Sequence, residues 1–418
     1  MAYDIEYIRS QFPALQRKVN NFPVVYFDGP GGTQVPQRVV DAMSKYLIHH
    51  NANTHGEFAA SVETDHMIRQ ARNAFADFFN CSDDEIAFSE NSTTISIKLS
   101  QALARDLTPG DEILITDIDH DANRSPWMIL SERGIVVQSV AMNKATLTLD
   151  MDDLRKKLSP RTKIVAFNCA SNAVGTISPA KEIVQLAKQV GAVTVADAVH
   201  FALHGIIDVR DIGVDFLFCS AYKFFGPHIG VLYARREAME RLKTLKVSAQ
   251  DDDPPFKFET GTLNHEGIAG AAEAIEFIAD MGKRHEKEFA GQFPTITGRR
   301  RDIVCGMTAA EHHEQPMAEY FKTELKKVRG LTLYAPPDNI PCTSTISFTL
   351  KGVHPERIST SLGEKGIFVW AGSFYAVQIM HVLGLHERGM LRIGLAPYNT
   401  QEEIERTLNE IQSIAKNI

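Results

Sequence analysis

The chain has 418 residues, of which 44% are hydrophobic and 23% charged, and its formal net charge is −8. This length exceeds what one small core organises, so we expect a large domain plus a smaller one. The acidic net charge disfavours general binding to nucleic acid or to an anionic membrane surface. The sequence contains no apolar run of about 18 residues, so we expect no membrane-spanning helix.

The cysteine pattern predicts the compartment. The five cysteines are Cys81, Cys169, Cys219, Cys305 and Cys342. They are few, odd in number and far apart, which is typical of a reduced cytoplasmic protein without disulfides or a cysteine zinc site. The first ten residues show no apolar run, so we expect no signal peptide. The histidine pairs lack metal-ligand spacing, and we expect no metal site.

Short β-branched apolar segments alternate with helical segments through the middle of the chain. The predicted strands are Glu112–Thr116, Ile135–Val140, Lys163–Cys169, Ala192–Asp197, Phe216–Ser220 and Ile229–Ala234. Amphipathic helices such as Pro179–Val190 lie between several of them. This alternation predicts an α/β fold with a mainly parallel sheet covered on both faces.

The composition changes after the long predicted helix Gly267–Met281. Residues 283–315 are rich in charge and histidine, and we interpret Arg299–Arg301 as a solvated hinge. A second α+β pattern follows, with strands and a final helix at Ser344–Leu350, Ile367–Trp370, Met390–Leu395 and Gln401–Ile414. We therefore place a large domain at residues 20–282 and a small domain at 283–418, with the N-terminal helix, within residues 1–19, packed on the small domain.

Lys223 follows the predicted strand Phe216–Ser220, in a loop that continues Phe-Phe-Gly-Pro. A lysine at the carboxyl edge of a parallel sheet lies where such sheets bind ligands. Partial desolvation there lowers its pKa and makes the amine nucleophilic. A solvated surface lysine is the more common alternative for this motif taken alone.

Asp197 ends an apolar strand, where it either caps a turn or pairs with a cation such as a protonated ring nitrogen. Ser92 and Thr93 begin a predicted helix, either as ordinary caps or as a phosphate cradle. His120 and Asn172 each follow a predicted strand. The histidine either stacks on a flat ring or, as is more common, is a loop histidine with its hydrogen bonds satisfied, and the amide can donate to a phenolate oxygen. Because these motifs follow strands, we expect them to converge at one edge of the sheet.

In order and wording, these motifs resemble the class V aminotransferase family of fold-type I enzymes that use pyridoxal-5'-phosphate (PLP), most closely its cysteine desulfurase and selenocysteine lyase branch. The resemblance runs from Tyr26–Thr33 (Tyr-Phe-Asp-Gly-Pro-Gly-Gly-Thr) to Arg392–Thr400 (Arg-Ile-Gly-Leu-Ala-Pro-Tyr-Asn-Thr), nearly the whole chain. It implies PLP as cofactor and an α/β PLP-dependent transferase fold of type I. That fold has a mainly parallel seven-stranded sheet in a large domain, plus a smaller α+β domain.

The resemblance also implies roles for individual residues. Lys223 holds PLP as a Schiff base and then shuttles a proton, Asp197 pairs with the ring nitrogen, and His120 stacks on the ring. Asn172 and His200 approach the phenolic oxygen, with His200 where many relatives have glutamine. The implied phosphate ligands are Ser92, Thr93, Ser220, Tyr222 and Thr262.

Thr262 lies in Phe258–Asn264, which resembles the family loop that reaches across a dimer interface. The resemblance thus implies a homodimer with shared active sites. Arg392 matches the arginine that grips the α-carboxylate of a small amino-acid substrate, where a guanidinium fork suits a carboxylate. Gly31, in the Tyr26–Thr33 motif, is a further candidate for substrate binding.

Two positions depart from the family. By alignment, Tyr375 stands where cysteine desulfurases carry the cysteine that takes sulfur as a persulfide, which a phenol cannot do. Trp370 stands where relatives often have a substrate-contacting arginine, and it offers one N–H donor and a large apolar face. Tyr375 either donates a proton to a leaving group or only fills the pocket.

We therefore predict a PLP-dependent lyase that acts at the β-carbon of a small L-amino acid, by C–S cleavage, desulfination or β-decarboxylation. An aminotransferase or epimerase that uses the same α-carbon chemistry is one alternative. A true cysteine desulfurase with another thiol is a second. A non-catalytic protein of the same fold is a third, against which Lys223, Asp197 and Arg392 argue.

Overall fold

A seven-stranded sheet forms the centre of the fold in the computed structural model, which describes residues 3–416. Its strands are β1 (Ile86–Ser89), β2 (Glu112–Thr116), β3 (Val136–Val140), β4 (Thr162–Asn168), β5 (Val193–Asp197), β6 (Phe216–Ser220) and β7 (Gly230–Ala234). They lie in the order β1-β7-β6-β5-β4-β2-β3. β7 is antiparallel to both neighbours and all other pairs are parallel, which confirms the predicted mainly parallel sheet.

The strands form where apolar residues can be buried on both faces. Along β2, Leu114 joins the hydrophobic cluster on one face, whereas Ile113 and Ile115 join the cluster on the other. This alternation is the two-residue period of a strand covered on both sides. The six predicted strands appear with ends within one residue of those expected, and β1 was not predicted.

Helices cover both faces of this sheet and extend beyond it. They are α1 (Ile5–Ser10), α2 (Gln37–His49), α3 (Ala59–Phe79), α4 (Ser92–Leu103), α5 (Ser125–Met128), α6 (Met151–Lys157), α7 (Ala180–Gln189), α8 (Val209–Ile212), α9 (Arg236–Arg241), α10 (His265–Phe289) and α11 (Gly298–Leu325). Aromatic residues of α3, including Phe75 and Phe78, pack on one face, and Ile95 and Leu99 of α4 pack on the other. Within residues 3–416, no helix is long and apolar enough to cross a membrane.

A second, antiparallel sheet lies in the C-terminal part of the chain. Its strands are β8 (Leu331–Tyr334), β9 (Thr345–Leu350), β10 (Trp370–Gly372) and β11 (Met390–Gly394), in the order β8-β9-β11-β10. The helices around it are α12 (Pro355–Glu364), α13 (Val377–Leu383) and α14 (Gln401–Lys416). The predicted strand Ile367–Trp370 is split, because Ile367–Phe368 pairs with Val25–Tyr26 whereas Trp370 begins β10. Two further short pairs join Lys18–Val19 to Phe22–Pro23 and Met142–Asn143 to Thr148–Leu149.

Helices α10 and α11 form a close antiparallel pair. A Cβ atom at Gly282 would lie 1.6 Å from the carbonyl oxygen of Asp302, and one at Gly306 would lie 2.3 Å from that of Ile278. The helices therefore meet backbone to backbone, which only glycine allows. Residue 283 lies inside α10, and the domain boundary placed there stays a prediction.

The interpretation of Arg299–Arg301 as a solvated hinge is wrong. The three residues form the first turn of α11, and Arg300 is buried. Its guanidinium donates to the carbonyl oxygens of Phe78 (2.7 Å) and Ile207 (2.9 Å). These bonds satisfy the buried charge and tie α11 to the end of α3.

The N-terminal helix α1 contacts both parts of the molecule. Arg9 forms an ion pair with Glu403 of α14 (2.8 Å), and the Tyr3 hydroxyl donates to the carbonyl of Pro397 (3.0 Å). Ile8 and Phe12 are buried in the cluster that packs on the large sheet. The expectation that this segment packs on the small domain stays a prediction.

Candidate active site

A cavity of about 680 Å³ opens at the carboxyl ends of the parallel strands. Twelve of the fourteen residues named from the sequence line it. They are Gly31, Ser92, Thr93, His120, Asn172, Asp197, His200, Tyr222, Lys223, Trp370, Tyr375 and Arg392. The other two, Ser220 and Thr262, lie outside its lining. Parallel strands bring their carboxyl ends to one edge, so residues far apart in sequence meet there.

Lys223 ends a single 3₁₀ turn that follows β6. Its Nζ donates to the carbonyl oxygen of Pro30, which precedes Gly31. Burial, together with the nearby Arg392 guanidinium, lowers the pKa of Lys223 to about 7 against the opposing charges of Asp28 and Asp197. A substantial share of the amine is therefore neutral near pH 7 and able to attack a carbonyl.

Asp197, at the end of β5, is a buried carboxylate in the same cavity. One oxygen accepts the backbone N–H of Val199 at 2.8 Å. Burial raises the pKa of Asp197 to about 6, while this hydrogen bond and Lys223 oppose the rise. A cation bound against the free oxygen would favour the ionised form.

Asp119 is a second buried carboxylate near the cavity, and no role was predicted for it from the sequence. It accepts hydrogen bonds from the Thr116 hydroxyl and from the Asn123 amide (2.9 Å). Burial, together with the charge of Asp197, raises the pKa of Asp119 to about 7 despite these two hydrogen bonds. Its place directly before His120, just after β2, was the signal that could have drawn attention to it.

The N-terminus of α4 forms one end of the cavity. Asn91 caps the helix by accepting the N–H of Thr94 at 2.8 Å, and Ser92 donates its N–H to Ser220 Oγ at 3.0 Å. Ser220 thus reaches the helix terminus although it does not line the cavity. The helix dipole and the hydroxyls of Ser92, Thr93 and Ser220 favour an anion at this end of the cavity.

His120 lines the cavity together with Lys223, and its ring centroid lies 5.5 Å from that of Tyr375. Its Nδ1 accepts the N–H of Ala122 (3.0 Å), which leaves the proton of a neutral ring on Nε2. Burial lowers the pKa of His120 to about 4, and Lys223 adds to this effect. The flat ring is therefore neutral and suited to stacking.

The Tyr375 loop is held in an unusual conformation over the cavity. Phe374 and Tyr375 have φ angles of 57° and 55°, in the left-handed region that residues other than glycine seldom adopt. The Asn172 amide donates to the Phe374 carbonyl (2.9 Å), and the Asp121 N–H donates to the Tyr375 carbonyl (2.7 Å). These bonds leave the Tyr375 side chain 68% exposed at the mouth of the cavity.

Asn172 uses one amide donor on this loop, and its Oδ1 has no hydrogen-bond partner within the part of the chain that the structure describes. Its predicted approach to a phenolic oxygen stays a prediction. Trp370 stands beside the Tyr375 loop, 49% exposed, at the start of β10.

Arg392, on β11, is a buried cation of the cavity. Its Nη1 donates to the carbonyl of Asn172 (2.9 Å), and its Nη2 lies 3.6 Å from Asp28 Oδ1. The guanidinium carbon lies 4.4 Å from the Phe374 ring centroid. Over residues 3–416, neither Arg392 Nε nor Asp28 Oδ1 has a hydrogen-bond partner. The guanidinium therefore keeps donors available for a carboxylate.

Gly31 is required by the position of Asp28. A Cβ atom at residue 31 would lie 2.2 Å from Asp28 Oδ1, well inside van der Waals contact. The glycine thus lets the Asp28 carboxylate approach Arg392.

Thr262 lies on an exposed loop that follows Glu259. Glu259 is buried and pairs with both terminal nitrogens of Arg72, at 2.9 and 2.7 Å. This pair anchors the base of the loop to α3. The role of Thr262 across a dimer interface stays a prediction.

The cysteines lie elsewhere. All five fall within residues 3–416, and none is among the residues that line the cavity. Cys342 is half-buried, and its Sγ accepts from Lys322 Nζ at 3.2 Å. Cys169 and Cys219 are buried, and burial raises the pKa of each thiol.

Residues 25–293 and 303–407 match the family Aminotransferase class-V, whose members depend on PLP. A cysteine desulfurase of Pectobacterium carotovorum subsp. carotovorum (strain PC1) is 31% identical over 431 aligned positions, which cover 99% of this chain and 98% of that protein. The apo structure of a cysteine desulfurase from Thermococcus onnurineus NA1 matches with a TM-score of 0.88 and 26% identity, over 100% of this chain and 99% of that one. The cysteine desulfurase CsdA (S-sulfonic acid) from Escherichia coli matches with a TM-score of 0.84 and 27% identity, over the same shares. The chain therefore belongs to the class-V aminotransferase family and is an enzyme of its cysteine desulfurase-like group.

Proposed function

We propose that this protein is a PLP-dependent lyase that acts at the β-carbon of a small L-amino acid. The observation that carries the proposal is the composition of the cavity. It combines a lysine of lowered pKa with a buried guanidinium, and none of its lining residues is a cysteine. Cleavage at the β-carbon needs the first two groups and no protein thiol.

The chemistry of the lining residues fits PLP. Lys223 offers an amine able to react with an aldehyde, and Asp197 offers a buried carboxylate for a protonated ring nitrogen. The N-terminus of α4, with Ser92 and Thr93, suits a phosphate group. When bound, PLP supplies an electron sink for the pair left by a bond broken at the substrate α-carbon.

The chain's own residues then bind and orient the substrate. Arg392 binds the α-carboxylate with the donors that it does not spend on the Asn172 carbonyl. The Phe374 ring covers one face of the guanidinium and so leaves its edge to the ligand. Lys223 Nζ, with its pKa near 7, accepts a proton from the substrate α-carbon and can return it to a neighbouring atom.

Tyr375 and Trp370 line the cavity and are our candidates for contact with the substrate side chain. The Tyr375 hydroxyl either donates a proton to the leaving group or only shields it from water. A true cysteine desulfurase is the second candidate, and the similarity to the cysteine desulfurases of Pectobacterium carotovorum and Thermococcus onnurineus favours it. In this chain it would need a thiol brought from outside the cavity lining.

We also propose a homodimer in the cytoplasm. Ile97 and Ile129 line the cavity, yet they are 48% and 53% exposed in the single chain. A second copy would cover these apolar side chains and bring its Thr262 loop towards the phosphate end. The five free cysteines suit a reducing compartment. Light scattering on the purified protein measures the oligomeric state, and a monomer would contradict shared sites.

The function is tested by supplying PLP and a panel of L-amino acids, namely cysteine, cystine, cysteine sulfinate, aspartate and alanine. We expect catalytic release of pyruvate, or of alanine together with sulfite or carbon dioxide. Lys223→Ala should abolish turnover, whereas Lys144→Ala, at an exposed lysine, should not. Conversion of the cofactor to its amine form without a β-product would indicate transamination instead. Rapid formation of alanine from cysteine, with sulfide released on addition of a reductant, would establish the desulfurase, because a β-eliminating lyase releases sulfide together with pyruvate.

A further inference from the structure

A cluster of buried polar side chains adjoins His200 on the wall of the cavity. His200 Nε2 lies 3.1 Å from Thr343 Oγ1 and 2.9 Å from Thr345 Oγ1. Both hydroxyls belong to the start of β9 or the residues just before it, and both side chains are buried. His200 Nδ1 has no hydrogen-bond partner among the described residues, and it is the ring nitrogen left for a group in the cavity.

The direction of the hydroxyl bonds decides which nitrogen carries the proton. Thr343 Oγ1 donates to Thr345 Oγ1 at 3.0 Å. The Thr343 proton is thus used, and the Thr345 proton can go to His200 Nε2. If Nε2 carried a proton instead, the buried Thr345 proton would have no acceptor in this cluster, which costs about 1–3 kcal/mol. Full satisfaction of the hydroxyls therefore requires Nε2 to accept and Nδ1 to donate.

Burial keeps the His200 ring neutral, and the neighbouring His204 adds to this effect. Glu314, buried on α11, accepts from Ser344 Oγ at 2.6 Å, and His204 Nδ1 lies 3.2 Å from the same carboxylate oxygen. The His204 ring lies 5.1 Å from that of His200. Burial is the largest cause that lowers the pKa of His200, followed by the charges of His204, Arg392 and Lys223. A neutral ring has one donor nitrogen, so its tautomer decides whether Nδ1 presents an N–H donor or an acceptor lone pair to the cavity.

We propose that Thr343 and Thr345 are positioning residues that together hold His200 as the Nδ1–H tautomer, so that the ring presents one N–H donor to an oxygen of the ligand bound in the cavity. The inference rests on the proposed function only for the identity of that oxygen, which belongs to PLP. The tautomer itself is a property of the chain.

The test is nitrogen NMR of the full-length protein labelled with ¹⁵N-histidine, recorded with and without PLP. The signals of His200 are identified by their loss in His200→Asn. In the wild type we expect a protonated Nδ1 and an unprotonated Nε2. Thr345→Val alone frees the Thr343 proton to donate to Nε2 and should keep the Nδ1–H form. The double variant Thr343→Val/Thr345→Val removes both hydroxyls, so the ring should no longer be fixed as Nδ1–H and should show the Nε2–H form as well. PLP should then bind about tenfold more weakly, the effect of losing one hydrogen bond of ordinary strength.

Two variants separate this role from a merely structural one. Thr345→Ser retains the hydroxyl and should keep both the Nδ1–H signal and the affinity for PLP. Thr349→Val, on the same strand, removes a hydroxyl that lies 3.3 Å from the Tyr334 hydroxyl and should change neither.

A wild-type spectrum with Nε2–H, or an unchanged tautomer in Thr343→Val/Thr345→Val, would overturn the proposal. If the double variant does not fold, the wild-type spectrum and Thr345→Ser decide. If the protein shows the Nδ1–H tautomer but binds no PLP, the proposed function fails and the inference on Thr343 and Thr345 stands.

Discussion

The lowered pKa of Lys223 predicts that this amine destabilises the cofactor-free fold. The ordinary pKa of 10.5 falls to about 7, chiefly through burial. At about 1.4 kcal/mol for each pKa unit, this shift corresponds to a loss of ~5 kcal/mol in the free energy of unfolding while the amine is charged. We expect a loss of ~2–4 kcal/mol, because relaxation of the protein and entry of water reduce the cost of burying a charge. Lys223→Met removes the charge and keeps the length of the side chain. It should therefore stabilise the cofactor-free protein by roughly that amount at pH 6–7, less about 1 kcal/mol for the lost bond to Pro30.

The sign of the pH dependence follows from linkage. Between pH 7 and pH 10.5 the unfolded chain holds a proton on Lys223 that the folded chain has released. The stability of the wild type therefore rises with pH in this window, by about 1.4 kcal/mol per pH unit from this group. The advantage of Lys223→Met should shrink as the pH rises from 7 to 9.5.

The assay is urea denaturation of both cofactor-free proteins at equal concentration, at half-unit pH steps from 6 to 9.5. Taking the difference between the proteins cancels the other titrating groups. Lys144→Met, at an exposed lysine, is the control and should follow the wild type at every pH. A constant difference between Lys223→Met and the wild type would refute a lowered pKa at Lys223.

Three further predictions concern the cavity and the base of the Thr262 loop. Arg392→Lys loses the planar guanidinium fork and should lower kcat/KM about 100-fold, mainly by raising KM. Steady-state kinetics measure this change, and a fall in kcat alone would contradict carboxylate binding by Arg392. Gly31→Ala should displace the Asp28 carboxylate, because the added carbon would lie 2.2 Å from it, and should lower kcat/KM at least about tenfold. An unchanged kcat/KM in this variant would show that Asp28 can move without cost to the reaction. Glu259→Gln breaks the buried pair with Arg72 and should cost ~3 kcal/mol in urea denaturation, so an unchanged midpoint would count against that pair.

Much of the large sheet could be predicted because its strands are buried on both faces. Segments such as Phe216–Ser220 are continuously apolar and stop at a polar residue, so pattern and structure agree. β1 escaped prediction because four residues run almost directly into α4, and β8 escaped because it is a half-exposed edge strand without an apolar run. Short or half-exposed strands gain their stability from neighbours, which a local pattern does not contain.

The candidate site was predictable where a side chain follows a strand directly. Lys223, Asp197 and His120 are of this kind, since the topology of a parallel sheet sends them to one edge. The pair of His204 and Glu314 was not predictable, because the two residues are 110 positions apart and meet only when α11 packs in the folded chain. Arg300 was misjudged because a charged residue in a charged segment gives no sign that backbone carbonyls will surround it.

The backbone contact between α10 and α11 limits how this molecule can be divided or made to move. Gly282 and Gly306 leave no layer of side chains that could slide or re-pack between the two helices. A fragment that ends at residue 282 would lose α11, against which the last turns of α10 pack, and we would not expect it to fold stably alone. Any movement of the C-terminal sheet relative to the cavity must keep these two helices together as one unit, so its flexing points must lie outside the contact at residues 278–306.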